Sequence, residues 1–217
     1  MTVRDRRSTF SAKLFRRLRA ERKGSAMIEF AMLAPVFFVF LLGTVEAGVM
    51  YFAQADLQQA VATAGRQIRT GADQNAGYVA DSGGSTTNAD WFKQQICNAA
   101  GSLLRDCTGK LQVQVVSYAS GGFSNISYTS PIRNNPSNPN DPSNGTLDPA
   151  VSGYSPGSAC DVVLVRAFYP WTVVTPLLTW FLTDMKSSSA APRFDTHLMT
   201  GAAAFRNEPF TSAVSGC

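Results

Sequence analysis

The chain has a single histidine, His197, in 217 residues. One imidazole excludes a His-rich metal centre, and a lone histidine in a strand-like stretch reads as structural. The four cysteines, Cys97, Cys107, Cys160 and Cys217, contain no C-x-x-C spacing, so neither a thiolate metal site nor a dithiol redox motif is indicated. There is no phosphate-cradling glycine loop; Gly83-Gly84 and Gly121-Gly122 read as turns. No serine or cysteine sits in a base-paired nucleophile motif. The sequence therefore predicts no enzyme, no cofactor and no metal.

Charge is also missing, in one place. From Phe30 to Val45 sixteen residues pass without a charged side chain. Ala26 to Val45 makes 20 residues, about 30 Å as a helix, which matches the hydrocarbon thickness of a bilayer. A secretory signal has a shorter apolar core of roughly 7–15 residues followed by a small-residue cleavage site, which Ala53-Gln54-Ala55 would supply. Pro35 removes one helical hydrogen bond within the run, a defect that membrane helices tolerate. Glu29 stands at the start of the run. A carboxylate costs about 2.5–3.5 kcal/mol near the bilayer centre and less near its edge. Glu29 is therefore either a residue that snorkels to the headgroups or one that binds something.

Residues 1–24 carry nine basic side chains against Asp5 and Glu21, a net of +7; with the whole chain at +4, residues 25–217 sum to −3. The basic balance belongs to this leader and does not argue for nucleic acid. Positive charge stays on the cytoplasmic side, which sends the C-terminal part across the membrane.

The helix is predicted to outrun the bilayer. Glu46 marks the far interface. Beyond it Leu57, Val61, Ala64 and Ile68 recur at spacings of 4, 3 and 4, one stripe of a helix, while Gln54, Asp56, Gln58, Gln59, Arg66 and Gln67 fall largely off it. No turn signal appears before Gly71-Ala72-Asp73. One helix from about residue 26 to about residue 70 would be on the order of 65 Å long.

The basic leader, Gly24, and Glu29 five positions beyond it resemble the type IV prepilin signal. The stretch from Gly24 through Ser25, Glu29, Phe30 and Pro35 to Phe38 resembles TadE, the pseudopilin-like family of the Tad (tight adherence) pilus. Tyr51-Phe52-Ala53-Gln54-Ala55-Asp56-Leu57 and the late Phe205-Arg206-Asn207-Glu208-Pro209-Phe210 are similar to the same family. The specific part covers residues 22–72. The resemblance implies cutting after Gly24 by a prepilin peptidase at the cytoplasmic face, with the apolar helix left attached. It implies as partners other pilin-like subunits (a TadF-like protein or the major pilin) and the inner-membrane Tad assembly platform, with a role in cell adhesion. It implies a bacterial inner-membrane protein with its domain in the periplasm. Many type IV pilins begin with Phe; here the first residue after the cut is Ser25.

Cutting would place a new ammonium on Ser25. Glu29 is one helical turn further on, within reach of that ammonium in its own chain or in a packed neighbour. An unpaired charge in lipid is costly, so such a pair favours assembly with a partner helix in register. The competing reading is a plain signal anchor: a single-pass, unprocessed, membrane-held periplasmic binding module.

Residues 73–217 suffice for one small domain. Thr87-Asn88-Ala89-Asp90 fits a capping box, with a helix from Asp90 to Leu104 that aligns Phe92, Ile96, Ala99 and Leu103 on one face. Leu111, Val113 and Val115 alternate with Gln112 and Gln114 as a half-buried strand. Asp161 to Tyr169 is a more continuously apolar, central strand, ended by Pro170. Thr175 to Met185 suggests a short helix, and Phe194 to Phe205 a strand of small residues. The predicted class is α+β: a long N-terminal helix, then a three- or four-stranded antiparallel sheet packed on a helix.

Residues 134–158, rich in Asn and Pro, read as a mobile surface loop within about 130–158. Asn125-Ile126-Ser127 and Asn144-Gly145-Thr146 match the N-glycosylation pattern, which a bacterial pilus component would not normally use. The four cysteines all fall on the translocated side, where an even count points to disulfides. Three pairings are possible; in one, Cys97, near a helix end, and Cys107, at a strand start, would close a short loop, leaving Cys160 with Cys217. Trp171 and Trp180, with Phe168, Tyr169 and Phe181, form either a core or an exposed sticky face.

Overall fold

The computed structural model describes residues 25–72, 88–119, 122–176, 178–191 and 193–210. Helix α1 runs Ser25–Arg69, 45 residues with Pro35 inside, within a residue of the expected span at each end. It stops where Gly71 takes a φ of +72°, a left-handed conformation that favours glycine. A Cβ at Gly71 would also meet the Phe210 ring at 2.2 Å. Arg66 and Arg69 in the last turn suit the negative end of the helix dipole, and Arg69 pairs with Glu208 at 3.2 Å.

The chain divides into two compact units, 1–45 and 46–217. In the first, the α1 side chains Phe30, Phe37, Phe40 and Leu42 are exposed. The second is an α+β domain. Its remaining elements are α2 (Asn88–Ala99), α3 (Cys107–Lys110), β1 (Gln112–Tyr118), β2 (Gly153–Tyr154), β3 (Val162–Thr172), α4 (Thr179–Leu182) and β4 (Thr196–Arg206).

The sheet has the order β2-β1-β3-β4. β3 pairs antiparallel with β1 and with β4, but β2 lies parallel to β1, so the sheet is mixed rather than purely antiparallel. β3 does not end at Pro170. β1 stops at the Gln112–Phe168 pair, so residues 169–172 have only β4 beside them, and a proline is tolerated on such an edge.

Successive strand residues face opposite sides. Val163, Val165, Ala167 and Tyr169 of β3, with Val113, Val115 and Met199, pack against Leu57, Val61, Ala64 and Ile68 of α1 and against Phe92 and Ile96 of α2. The opposite face carries a smaller cluster of Phe168, Leu198, Val151 and Met185, flanked by Ile132 and Leu147. Burial on both faces explains why β3 reads as nearly continuous apolar sequence. At Gly201 α1 lies close against the sheet: a Cβ there would meet Val61 Cγ2 at 2.9 Å and the Leu57 carbonyl oxygen at 3.2 Å.

Three expectations need correction. The helix after residue 88 ends at Ala99, not Leu104, because Gly101 turns left-handed with φ +67°. Its buried face is therefore Phe92, Ile96 and Ala100, while Ala99 and Leu103 are exposed. The expected helix over 175–185 shrinks to the single turn of α4. Thr87, the expected helix cap, lies outside the described residues.

The segment expected to be a mobile loop carries a dense set of its own hydrogen bonds. Asn144 Oδ1 accepts from the Asn135 N–H at 2.8 Å, and Asp141 Oδ1 accepts from the Ser143 N–H at 2.9 Å. Arg133 donates to Asp148 at 3.0 Å, and Ile132 bridges Leu147. This segment supplies Ile132, Leu147 and Val151, which cover the sheet's second face together with Met185.

Candidate functional site

The residues expected to act in processing and assembly lie at the start of α1. Gly24 falls outside the described residues. Ser25 is the first residue of the helix, and Glu29 and Phe30 are exposed on its second turn, Phe30 by 67 %. A spacing of four along one helix keeps Glu29 on the same side as Ser25. In the charge-free stretch Thr44 donates its hydroxyl to the Phe40 carbonyl at 2.8 Å, so its polar atom is satisfied within the helix. By length and composition this helix is able to span a membrane.

Glu46, the first charged residue after that stretch, has a definite partner. Its two carboxylate oxygens accept the backbone N–H groups of Val174 at 2.6 Å and Thr175 at 2.9 Å. It fastens the connection between β3 and α4 to α1. The sequence marked Glu46 only as a boundary; its tie to residues 128 positions away carries no local signal.

The next turns of α1 hold the domain. Leu57, Val61, Ala64 and Ile68 are buried, as the stripe predicted, and Ala53 and Ala60 are buried with them. The glutamines beside that stripe also have work that the sequence did not reveal. Gln54 donates to the Thr200 carbonyl at 2.8 Å. Gln58 donates to the Ala202 carbonyl at 2.8 Å and accepts the Ala202 N–H at 3.0 Å. These amides bind the outward-facing backbone of β4, the side that β3 leaves open.

Arg166 is buried in the middle of β3. It donates to Gln114 Oε1 and to the Thr129 carbonyl, and its guanidinium lies 4.9 Å from the Tyr128 ring centre and 5.2 Å from that of Phe168. Amide oxygens and aromatic faces thus stabilise the charge. Asp184 accepts the Leu198 N–H at 2.8 Å, and its other oxygen lies 3.3 Å from His197 Nδ1. The Asp184 carboxylate raises His197 above its ordinary value, against burial, which lowers it. Burial pushes Asp184 up, but His197 and the Leu198 N–H outweigh it and hold the acid below the usual carboxylate range. Among the described residues no three His, Cys, Asp or Glu side chains gather to hold a metal.

Cys97, at the end of α2, is bonded to Cys107, the first residue of α3, with Cα atoms 5.7 Å apart. Cys160 is disulfide-bonded as well; its expected partner, Cys217, lies outside the described residues. The aromatic group divides between the two readings. Phe168 and Tyr169 are buried, Trp171 is half-buried, and Trp180 and Phe181 are exposed by 85 % and 80 %.

A long apolar helix whose far half enters an α+β domain defines a class: a domain built on the extension of a helix long enough to cross a membrane. The model of the TadE-like protein family matches residues 24–66, from Gly24 through the buried stripe of α1. No curated protein and no solved structure matches the chain.

Proposed function

We propose that this chain is a minor pseudopilin-like structural or assembly component of a Tad pilus, processed by a prepilin peptidase after Gly24. The observation that carries the reading is the family match, which begins at residue 24, the glycine that would be cut. Two further features support it. A cut after Gly24 would leave the whole described helix, Ser25–Arg69, attached. Glu29 is one turn from the ammonium that the cut would create. The leader's charge favours a cytoplasmic N-terminus and a periplasmic domain. The partners in this reading are the peptidase, other pilin-like subunits, the inner-membrane assembly platform and the lipid bilayer. The chain performs no catalysis in it.

N-terminal sequencing tests the proposal. Cells with the peptidase should yield a membrane-bound protein that starts at Ser25, and Gly24→Leu should block the cut. Glu29→Ala should still be cut and inserted, because Gly24 is intact and a charge has left the apolar helix. It should lose pairing with a neighbour's Ser25 ammonium, and with it piliation. A mature N-terminus near Asp56 in a soluble fraction would sink the processing step. Normal pili in Glu29→Ala cells would reduce Glu29 to a snorkelling side chain.

A further inference from the structure

The stretch that leaves β3 and runs through α4 carries no charge. From Ala167 to Thr183 there is no Asp, Glu, Lys, Arg or His, with Arg166 before and Asp184 after. It is also where the domain leaves large apolar side chains uncovered. Val174, Trp180 and Phe181 are exposed by 81 %, 85 % and 80 %. Buried apolar sequence needs no further account, but three such side chains pointing outward around one turn do. Two more aromatics, Tyr51 and Phe52 of α1, are exposed in the same domain and meet edge to face with ring centres 6.4 Å apart.

Glu46 fixes the first residues of the connection between β3 and α4. Its carboxylate holds the Val174 and Thr175 N–H groups at 2.6 and 2.9 Å, so the base of the apolar turn is bonded to the residue that directly follows the charge-free stretch. Tyr51 and Phe52 follow Glu46 by five and six residues, on the order of 8–9 Å of helix rise. The polar zone on each side of a bilayer is about 5–8 Å deep, taken as half the difference between total and hydrocarbon thickness. Val174, Tyr51 and Phe52 therefore fall near the level where aromatic side chains concentrate in membrane proteins, and Trp180 and Phe181 follow Thr175 by five and six residues.

We infer that Val174, Trp180 and Phe181, with Tyr51 and Phe52, form a second membrane contact that seats the domain in the headgroup region of the bilayer. This inference rests on the reading of α1 as a membrane-spanning helix. The occupant is the lipid surface. The turn has no charge to match with an acidic or basic partner, and Glu46 fixes its base at the end of the apolar run. The contact restricts the domain's swing about the point where α1 leaves the lipid. It also ties the β3–α4 turn to the membrane for as long as the subunit stays there.

The test uses the full chain in phosphatidylcholine vesicles with lipids brominated close to the headgroup. The fluorescence of Trp180 is isolated as the component lost in Trp180→Phe, a substitution at an exposed site that leaves the fold intact. Brominated lipid should quench this component at least twofold relative to unbrominated lipid, and its exposure to acrylamide should fall on insertion. Carbonate extraction is run on the same vesicles. If the protein resists extraction and the Trp180 component is unquenched by bromine, the second contact is overturned while the spanning helix stands. A component shielded from acrylamide but unquenched by bromine assigns the face to another copy of the chain and likewise overturns the inference. Release by carbonate overturns the spanning helix and this contact together.

Discussion

The two halves of α1 share one run of helical backbone, yet they satisfy their apolar side chains by opposite means. Before Val45 the helix is apolar on every side, and Phe30, Phe37, Phe40 and Leu42 are exposed within their unit. After Glu46 it is apolar on one stripe, and that stripe is buried on a sheet that it helps to order. A helix that is apolar all round needs an apolar environment from outside its own fold, whereas a striped helix finds one within it. The same residue type therefore does different things in the two halves. Leucine in the first half is exposed and adds nothing to the domain's core; leucine in the second is part of that core.

The largest effect expected from this contrast is on the stripe. Leu57→Ala should destabilise the domain by about 2–5 kcal/mol, since Leu57 is fully buried and its loss leaves a cavity. Leu41→Ala, in the exposed half, should leave the unfolding transition where it is. Denaturant unfolding of the full chain in detergent, followed by the domain's tryptophans, distinguishes the two. Equal shifts for both variants would mean that the halves are not energetically distinct.

A smaller effect is expected from the Cys97–Cys107 bond, which closes a short loop beside α2, the helix that completes the core around the stripe. Replacing both cysteines with serine should cost about 2–3 kcal/mol on the chain-entropy account, measured by the same unfolding transition. The transition should remain single, because the bond adds to a core that α1 already organises.

The smallest effect is a pH dependence confined to the domain. His197 is raised in the folded state, so its contribution is fully present below its unfolded value and is lost as pH rises through the folded one. Asp184 is lowered, so its contribution is present above its unfolded value and is lost as pH falls through the folded one. The pair stabilises most between roughly pH 4 and pH 6.5, the ordinary values of the two groups. The side chains are partly exposed, so the amplitude should stay on the order of 0.2–1 kcal/mol. Thermal unfolding between pH 6 and pH 8.5 should show a shallow loss of stability that His197→Gln removes.

Much of this fold was legible in the sequence. The apolar stretch, the stripe from Leu57 to Ile68, and the strands around Val113, Val165 and Ala203 were readable because each is a local period set by burial. What escaped reading depends on distant or irregular pairing. The parallel strand β2 is two residues long, and no period exists over two residues. The cover on the second face draws Ile132, Leu147, Val151 and Met185 from separate places, and composition alone hid it behind asparagine and proline. The left-handed Gly101 shortened α2 by a turn that hydrophobic spacing alone would have continued. At the candidate site, Glu29 was visible as a charge out of place. Glu46, Gln54 and Gln58 looked like ordinary polar residues, since their partners lie more than a hundred positions away.

The glutamines of α1 have a consequence for how copies of this chain meet. A strand with unanswered carbonyl and amide groups invites a foreign strand, and proteins crowded along a membrane or a fibre are the ones most exposed to that capture. Gln54 and Gln58 already answer Thr200 and Ala202 from within the chain, and the Leu198 amide is answered by Asp184. The other margin of the sheet is the two-residue β2, too short to template a ladder. A foreign strand thus meets part of each margin already occupied: β4 by side chains of α1 and Asp184, and β1 by β2 at Gln114 and Val115.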